Sequence, residues 1–177
     1  MPRIPLTSIE DQTEPVRQWM ARRGNLNVFR LLANAPHVFP GWTRMVDELF
    51  ASPTFSPRMR EVVILRVAHL QGSPYELGQH VGIARTAGLT EQQINAILDT
   101  GDLDAADFSD SERTALDITT ELCTSHRLRD DSFGAAQAVF GDEALTELLM
   151  IISCYYGLAL VLNAADLDAD AAARFQP

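Results

Sequence analysis

The stretch Arg60–Leu89 constrains the fold most, because its spacing predicts two helices joined by a short break. The Gly-Ser-Pro sequence at 72–74 ends the first helix and restarts the second, since proline suits the first helical position. At about 100° per residue, Glu61 points to the same side as Ile64 and Leu65. A carboxylate is therefore predicted on the buried face of the first helix.

The second helix of this stretch carries two more ionisable groups on an apolar face. Glu76 and His80 are four residues apart and point in the same direction as Ile83 and Ala84, with Arg85 on the opposite side. The sequence therefore predicts a helical hairpin whose polar side chains face inward. Such groups are costly to bury, which makes them candidates for a site.

Three short sequences in the hairpin resemble the carboxymuconolactone decarboxylase family, which includes the alkylhydroperoxidase D-like proteins. They are RExxILRVA from Arg60, YExxQH from Tyr75 and IARxAGLT from Ile83. The resemblance covers roughly residues 27–98. It implies an all-α, single-domain helical bundle of the alkylhydroperoxidase D-like type that assembles as a homo-oligomer, a trimer or a hexamer.

The resemblance also matches the functional positions of the family to individual residues of this chain. In the peroxidase branch of the family a glutamate precedes a CxxC pair and a histidine, and these positions fall on Glu61, Ser73 with Glu76, and His80. Serine and glutamate cannot form a redox disulfide, so peroxide reduction through such a pair is excluded. The resemblance then points to the branch without the CxxC pair, whose named member removes carbon dioxide from a carboxylated lactone with no metal or organic cofactor.

The amino-acid composition limits the classes of molecule that the protein is expected to bind. The formal net charge of −10 over 177 residues argues against nucleic acid or an anionic membrane as the main partner. The first ten residues are too polar and proline-rich for a secretory signal, so a cytoplasmic protein is expected. Cys123 and Cys154 form no metal or redox motif and are predicted to be buried apolar residues.

The remaining chain shows helical periodicity and no strand alternation, which favours about seven to nine helices. Residues 1–13 are predicted to form an extended arm and residues 14–177 a single domain. An aspartate-rich loop is expected at 99–107. The apolar run Leu148–Leu162 is about 22 Å long as a helix, too short for a membrane span, and is predicted to be buried in the core or at a subunit interface.

Each candidate residue has a structural alternative. Glu61 could pair with Arg58 or Arg60, and Ser73 with Glu76 fits a capping box at the start of the second helix. A divalent ion held by Glu76 and His80, with Glu61 or His69 as a third ligand, is the less favoured alternative.

The expected function is a cofactor-independent, carboxymuconolactone decarboxylase-like enzyme that acts on a small carboxylated or enolisable substrate by acid/base proton transfer. Glu61, His80 and Glu76 are the predicted catalytic residues, and Tyr75, Ser73 and Trp42 the predicted substrate-binding residues. No metal or other cofactor is expected. An isomerase, a hydratase or a non-redox, oligomeric small-molecule-binding protein on the same scaffold are the alternatives, and the sequence does not choose among them.

Overall fold

The computed structural model describes residues 2–99 and 103–170, and in these ranges it contains helices and no strand. The eight α-helices are α1 Glu14–Arg22, α2 Asn27–Leu32, α3 Phe39–Ala51, α4 Pro57–Leu70, α5 Pro74–Thr86, α6 Glu91–Leu98, α7 Asp110–Ser125 and α8 Asp130–Ala165. A single 3₁₀ turn, Leu103–Ala105, lies between α6 and α7. The predicted all-α fold is confirmed. Residues 100–102 of the predicted acidic loop lie outside the described residues.

The chain divides into two compact units. One contains the residues up to Ser52 together with those from Val161 onward, and the other contains Pro53–Leu160. The prediction of a single domain over residues 14–177 stays a prediction.

The first unit is built around aromatic side chains from α1, α2 and α3. The ring of Trp19 meets the edge of Phe29 with centroids 4.8 Å apart, and Trp42 stacks on Phe39 at 6.0 Å. Helix α3 begins at Phe39, because Pro40 fits within the first turn, where no backbone N–H is needed. Residues 2–13 form no helix, and the extended arm predicted for residues 1–13 stays a prediction.

The second unit is organised around α4. Every residue of α4 from Met59 to Ala68 is buried. The helix packs against α5, α6 and α7. Its start is capped by Ser56, whose hydroxyl accepts a hydrogen bond from the backbone N–H of Met59 at 3.2 Å.

Two tight turns connect α4 to α5 and α5 to α6. After α4, Gly72 adopts a left-handed φ of 55°, and the N–H of Ser73 donates to the Ala68 carbonyl at 2.9 Å. After α5, Gly88 has φ 94°, and the N–H of Leu89 donates to the Ala84 carbonyl at 3.0 Å. Both turns are the glycine-terminated motif that commonly ends a helix.

Helix α8 is long, apolar and bent. Gly141 interrupts it with φ 71° and ψ 173°. By length and composition alone it is the one helix in the described ranges that could cross a membrane, and 39% of its most apolar 18-residue window is buried. Leu148 and Ile151 lie on a buried face, whereas Met150 and Leu160 are exposed. The prediction of a buried helix therefore holds for one face of α8.

Candidate active site

Helices α4 and α5 bring the three predicted catalytic residues into one cluster. The Nδ1 atom of His80 lies 2.8 Å from Oε2 of Glu61, and its Nε2 atom lies 3.5 Å from Oε2 of Glu76. All three side chains are buried, with 2% of Glu61, 3% of Glu76 and 8% of His80 exposed. The imidazole thus lies between two buried carboxyl groups, one from each helix.

The surroundings change the pKa values of His80 and Glu76. Burial alone would lower the pKa of His80, but the charge and hydrogen bond of Glu61, together with the charge of Glu76, outweigh burial and raise it. Burial raises the pKa of Glu76, with the charge of Glu61 adding to it and that of His80 opposing it. The surroundings therefore favour the protonated forms of both His80 and Glu76 more than water does.

Tyr155 of α8 completes the packing around the imidazole. Its ring meets the His80 ring edge-on, with centroids 5.3 Å apart and an interplanar angle of 89°. Burial raises the pKa of the Tyr155 phenol well above its ordinary value, and the charges of Glu76 and Glu61 add to this. The sequence did not identify this contact, because no local motif links α8 to His80.

Ser73 does not form the predicted capping box with Glu76. It is the N-cap residue of α5 but makes no side-chain capping bond, and its hydroxyl is fully buried without a hydrogen-bond partner among the described residues. The cause is the preceding turn, which binds the N–H of Ser73 to the end of α4 and leaves its ψ at 93° rather than near 155°. Glu76 lies beside His80 instead of reaching back to Ser73.

The other predicted site residues have different surroundings. Tyr75 is buried in the first turn of α5, one residue before Glu76. Trp42 belongs to the first unit, where it contacts Phe39 and Trp19. The substrate-binding roles of Tyr75 and Trp42 stay predictions.

The sequence offered Arg58 and Arg60 as alternative partners of Glu61. Arg58 pairs with Glu112 of α7 at 2.7 Å, and Nη1 of Arg60 donates to the Phe55 carbonyl at 2.7 Å. Glu61 hydrogen bonds to His80. Within residues 2–99 and 103–170, no three His, Cys, Asp or Glu side chains are grouped as a metal site.

The two cysteines are free thiols with low reactivity at neutral pH. Cys123 is buried, as predicted, and Cys154 is half-buried on α8. Burial raises the pKa of each thiol to about 11, and Glu76 adds to the effect at Cys154. Neither thiol is therefore activated as a nucleophile.

Comparison with known proteins finds the same family that the three short sequences of the hairpin resemble. Residues 36–121 match the model of the carboxymuconolactone decarboxylase family. The uncharacterized protein YdfG of Bacillus subtilis (strain 168) is 27% identical over 96 residues, which is 53% of this chain and 64% of YdfG. The matched region thus spans less than two thirds of that relative.

Solved structures share the fold over most of the chain. An uncharacterized peroxidase-related protein with an alkylhydroperoxidase AhpD core, from Ralstonia eutropha JMP134, superposes with a TM-score of 0.83 at 19% identity, over 96% of this chain and 93% of that one. The debrominase Bmp8, in complex with 2,3,4-tribromopyrrole, gives a TM-score of 0.77 at 19% identity, over 96% and 91%. At these identities the likeness establishes the fold alone.

Proposed function

Because the chain belongs to the carboxymuconolactone decarboxylase family through residues 36–121, we propose that it is a cofactor-independent enzyme that transfers a proton to a small carboxylated or enolisable substrate. The observation that carries the proposal is the buried imidazole of His80, held between Glu61 and Glu76. A buried group of three ionisable side chains costs stability, and perturbed pKa values of this kind are typical of acid/base sites.

The three residues have separate roles in this proposal. Glu61 orients His80 and stabilises its positive charge through the 2.8 Å contact. His80 presents this charge to an enolate that develops in the reaction. Glu76, whose pKa burial raises, holds a proton that it can donate to carbon.

Decarboxylation fits these roles. Loss of carbon dioxide breaks a carbon–carbon bond and leaves the electron pair on the product as an enolate. Proton transfer from the Glu76 carboxyl group to the carbon then restores the carbonyl group. Glu76 regains its proton from water or from the His80 imidazolium, 3.5 Å away.

The test is a carbon dioxide release assay with the chelator-treated protein, carboxymuconolactone and a panel of β-keto and aromatic carboxylic acids. Glu61→Gln and His80→Ala are each expected to reduce release by about 100-fold or more. The matched controls are Glu143→Gln and His126→Asn, both at exposed positions. Release that survives in both site variants would refute the assigned roles, and no release from any acid would favour an isomerase, a hydratase or a binding protein.

We also propose that the protein assembles as a homo-oligomer through α8. Met150, Ser153, Gly157 and Leu160 recur every three to four residues and are all exposed, which gives one uncharged helix face in water. Burying such faces against each other is favourable, and the small residues permit close approach. Light scattering in detergent-free buffer should give a multiple of the 19.5 kDa chain mass. A monomer that stays dispersed at micromolar concentration, or a protein that requires detergent, would contradict this interface.

A further inference from the structure

The imidazole ring of His80 is not held in place by its hydrogen bonds alone. Its Nδ1 atom lies 2.8 Å from Oε2 of Glu61, an ordinary hydrogen-bond distance. Its Nε2 atom lies 3.5 Å from Oε2 of Glu76, which is longer than an ordinary hydrogen bond. The torsion that sets the plane of a histidine ring is broad, with no sharply preferred value. One close hydrogen bond therefore leaves the ring free to turn about it.

The ring of Tyr155 supplies the third contact of the imidazole. It comes from α8, whereas Glu61 and Glu76 come from α4 and α5. The Tyr155 and His80 rings are almost perpendicular, at 89°, with centroids 5.3 Å apart, and both residues are buried. Aromatic rings at this angle and distance attract each other, and dense packing resists the rotation of either one. Turning the imidazole would change this angle and lose part of the contact.

The ring of Tyr155, rather than its hydroxyl group, is the part that acts on His80. Burial raises the pKa of the phenol well above its ordinary value, and the charges of Glu76 and Glu61 add to this. The phenol therefore stays neutral near pH 7 and adds no charge to the cluster. Phenylalanine at this position would keep both the ring and the neutral state.

We propose that Tyr155 is a positioning residue, which holds the plane of the His80 ring so that Nδ1 stays on Glu61 and Nε2 stays beside Glu76. This inference rests on the proposed function, in which the His80 imidazolium can return a proton to Glu76. That transfer depends on the distance between Nε2 and the carboxyl group. Misplacing a reacting group by about 1 Å can lower a rate about 100-fold, so a small rotation of the ring is enough to matter.

The next residue of α8 provides a matched comparison. Tyr156 also meets a histidine edge-on, since its ring and that of His126 lie at 87° with centroids 6.1 Å apart. His126 is exposed and Tyr156 is half-buried. The two pairs thus have similar ring geometry, but only the pair of Tyr155 and His80 is buried beside two carboxyl groups.

The position of the His80 ring can be tested by NMR, without turnover. The chain has four histidines, so the full chain labelled with ¹⁵N-histidine gives few ring signals, and His80→Ala identifies those of His80. The titratable and charged groups around the two rings are present in every Tyr155 variant. They are Glu61 and Arg60 on α4, Glu76 on α5 and Cys154 on α8.

Tyr155→Leu should release the ring, and Tyr155→Phe should not. The pKa of His80 is raised because the influence of Glu61 and Glu76 outweighs burial. A turning ring and entering water weaken all of these influences, so in Tyr155→Leu we expect the pKa of His80 to move toward its ordinary value of 6.5. Its ring ¹⁵N signals should approach those of the exposed His126. In Tyr155→Phe both the pKa and the signals should match the unmodified chain.

Two controls separate positioning from a general loss of stability. Leu148→Ala empties part of the buried face of α8, about 10 Å along the helix axis from Tyr155. It should lower stability and leave the His80 signals in place. Tyr156→Leu should change the ring signals of His126 and not those of His80.

Activity gives a second measurement, with any acid from which the protein releases carbon dioxide. Tyr155→Leu should lower kcat about tenfold or more and change KM by less than about threefold, because the ring position affects proton transfer more than substrate binding. The conservative variant Tyr155→Phe restores the ring and should recover kcat to within about threefold.

Three results would overturn the proposal. They are unchanged His80 ring signals in a folded Tyr155→Leu protein, an unchanged kcat in that protein, and equal losses in Tyr155→Phe and Tyr155→Leu, which would assign the role to the hydroxyl group. The ring signals need no substrate. A failed carbon dioxide assay would therefore count against the proposed function alone, and unchanged ring signals would count against the role of Tyr155 alone.

Discussion

The turn between α4 and α5 and the turn between α5 and α6 differ by one residue. In both, a glycine in the left-handed region ends a helix, and the N–H of the next residue donates back to that helix. After Gly88 that next residue is Leu89, and Thr90 then caps α6 with a complete capping box that includes Gln93. After Gly72 the next residue is Ser73, which must end one helix and begin the other.

The turn after α4 is one residue shorter than the turn after α5. This difference explains why Thr90 caps its helix and Ser73 does not. Thr90 has φ −77° and ψ 159°, which directs its side chain to the helix start, whereas Ser73 has φ −100° and ψ 93°. The Ser-x-x-Glu sequence at 73–76 thus resembles a capping box without forming one. The shorter turn leaves Ser73 and Glu76 without the contacts of a capping box, and Glu76 lies beside His80 instead.

The largest expected effect comes from replacing His80, whose imidazole ring lies beside the Glu76 carboxyl group. His80→Ala should lower the free energy of unfolding by about 3 kcal/mol, because it removes the hydrogen-bond partner of the Glu61 carboxyl group, which is 2% exposed. Urea unfolding followed by circular dichroism at pH 6 measures this. His126→Asn, at an exposed left-handed position, is the control and should change stability by less than about 0.5 kcal/mol. A similar small change in both variants would show that the cluster is not coupled to folding.

A smaller effect compares the first-turn carboxylates of the two helices. The pKa of Glu76 is raised, chiefly by burial, so its ionisation favours unfolding and its contribution to stability declines as the pH rises from 4.5 through its folded pKa. The pKa of Glu91 is lowered by its hydrogen bond to Arg85, so its contribution is present above 4.5 and is lost as the pH falls. The stability difference between the unmodified chain and Glu76→Gln should therefore decrease with pH, and that for Glu91→Gln should increase.

Unfolding curves of these three proteins at several pH values from about 3 to 8 measure both slopes, since the contribution of Glu91 changes below 4.5 and that of Glu76 above it. His80 affects all three proteins in the same direction, because its raised pKa makes it stabilising below 6.5 and less so as the pH rises through its folded pKa. Slopes of the same sign for Glu76→Gln and Glu91→Gln would contradict the difference between the two helix starts.

The smallest effect distinguishes the two N-cap residues directly. Thr90→Ala should cost about 1 kcal/mol of unfolding free energy, because it removes a capping bond. Ser73→Ala should change it by no more than about 0.5 kcal/mol, or raise it, because the hydroxyl it removes is buried without a partner. Urea unfolding of both variants under one set of conditions gives the comparison. An equal loss in the two would mean that Ser73 does cap α5 in solution.

The sequence alone determined the hairpin and the inward direction of Glu61, Glu76 and His80. Helical periodicity is a local property, so the face on which a side chain lies follows from its position in the chain. The glycine and proline residues of the hairpin likewise fixed where α4 ends and α5 begins. The all-α fold followed from the same local patterns, repeated along the chain.

The tertiary structure alone decided which of these groups meet. The pairing of Glu61 with His80 rather than with Arg58, and the contact of Tyr155 with His80, depend on the angles at which helices pack. The uncapped state of Ser73 depends on hydrogen bonds that end the previous helix. Such distances arise from packing between elements, and the raised pKa values of Glu76 and His80 follow from the burial and proximity that only this packing creates.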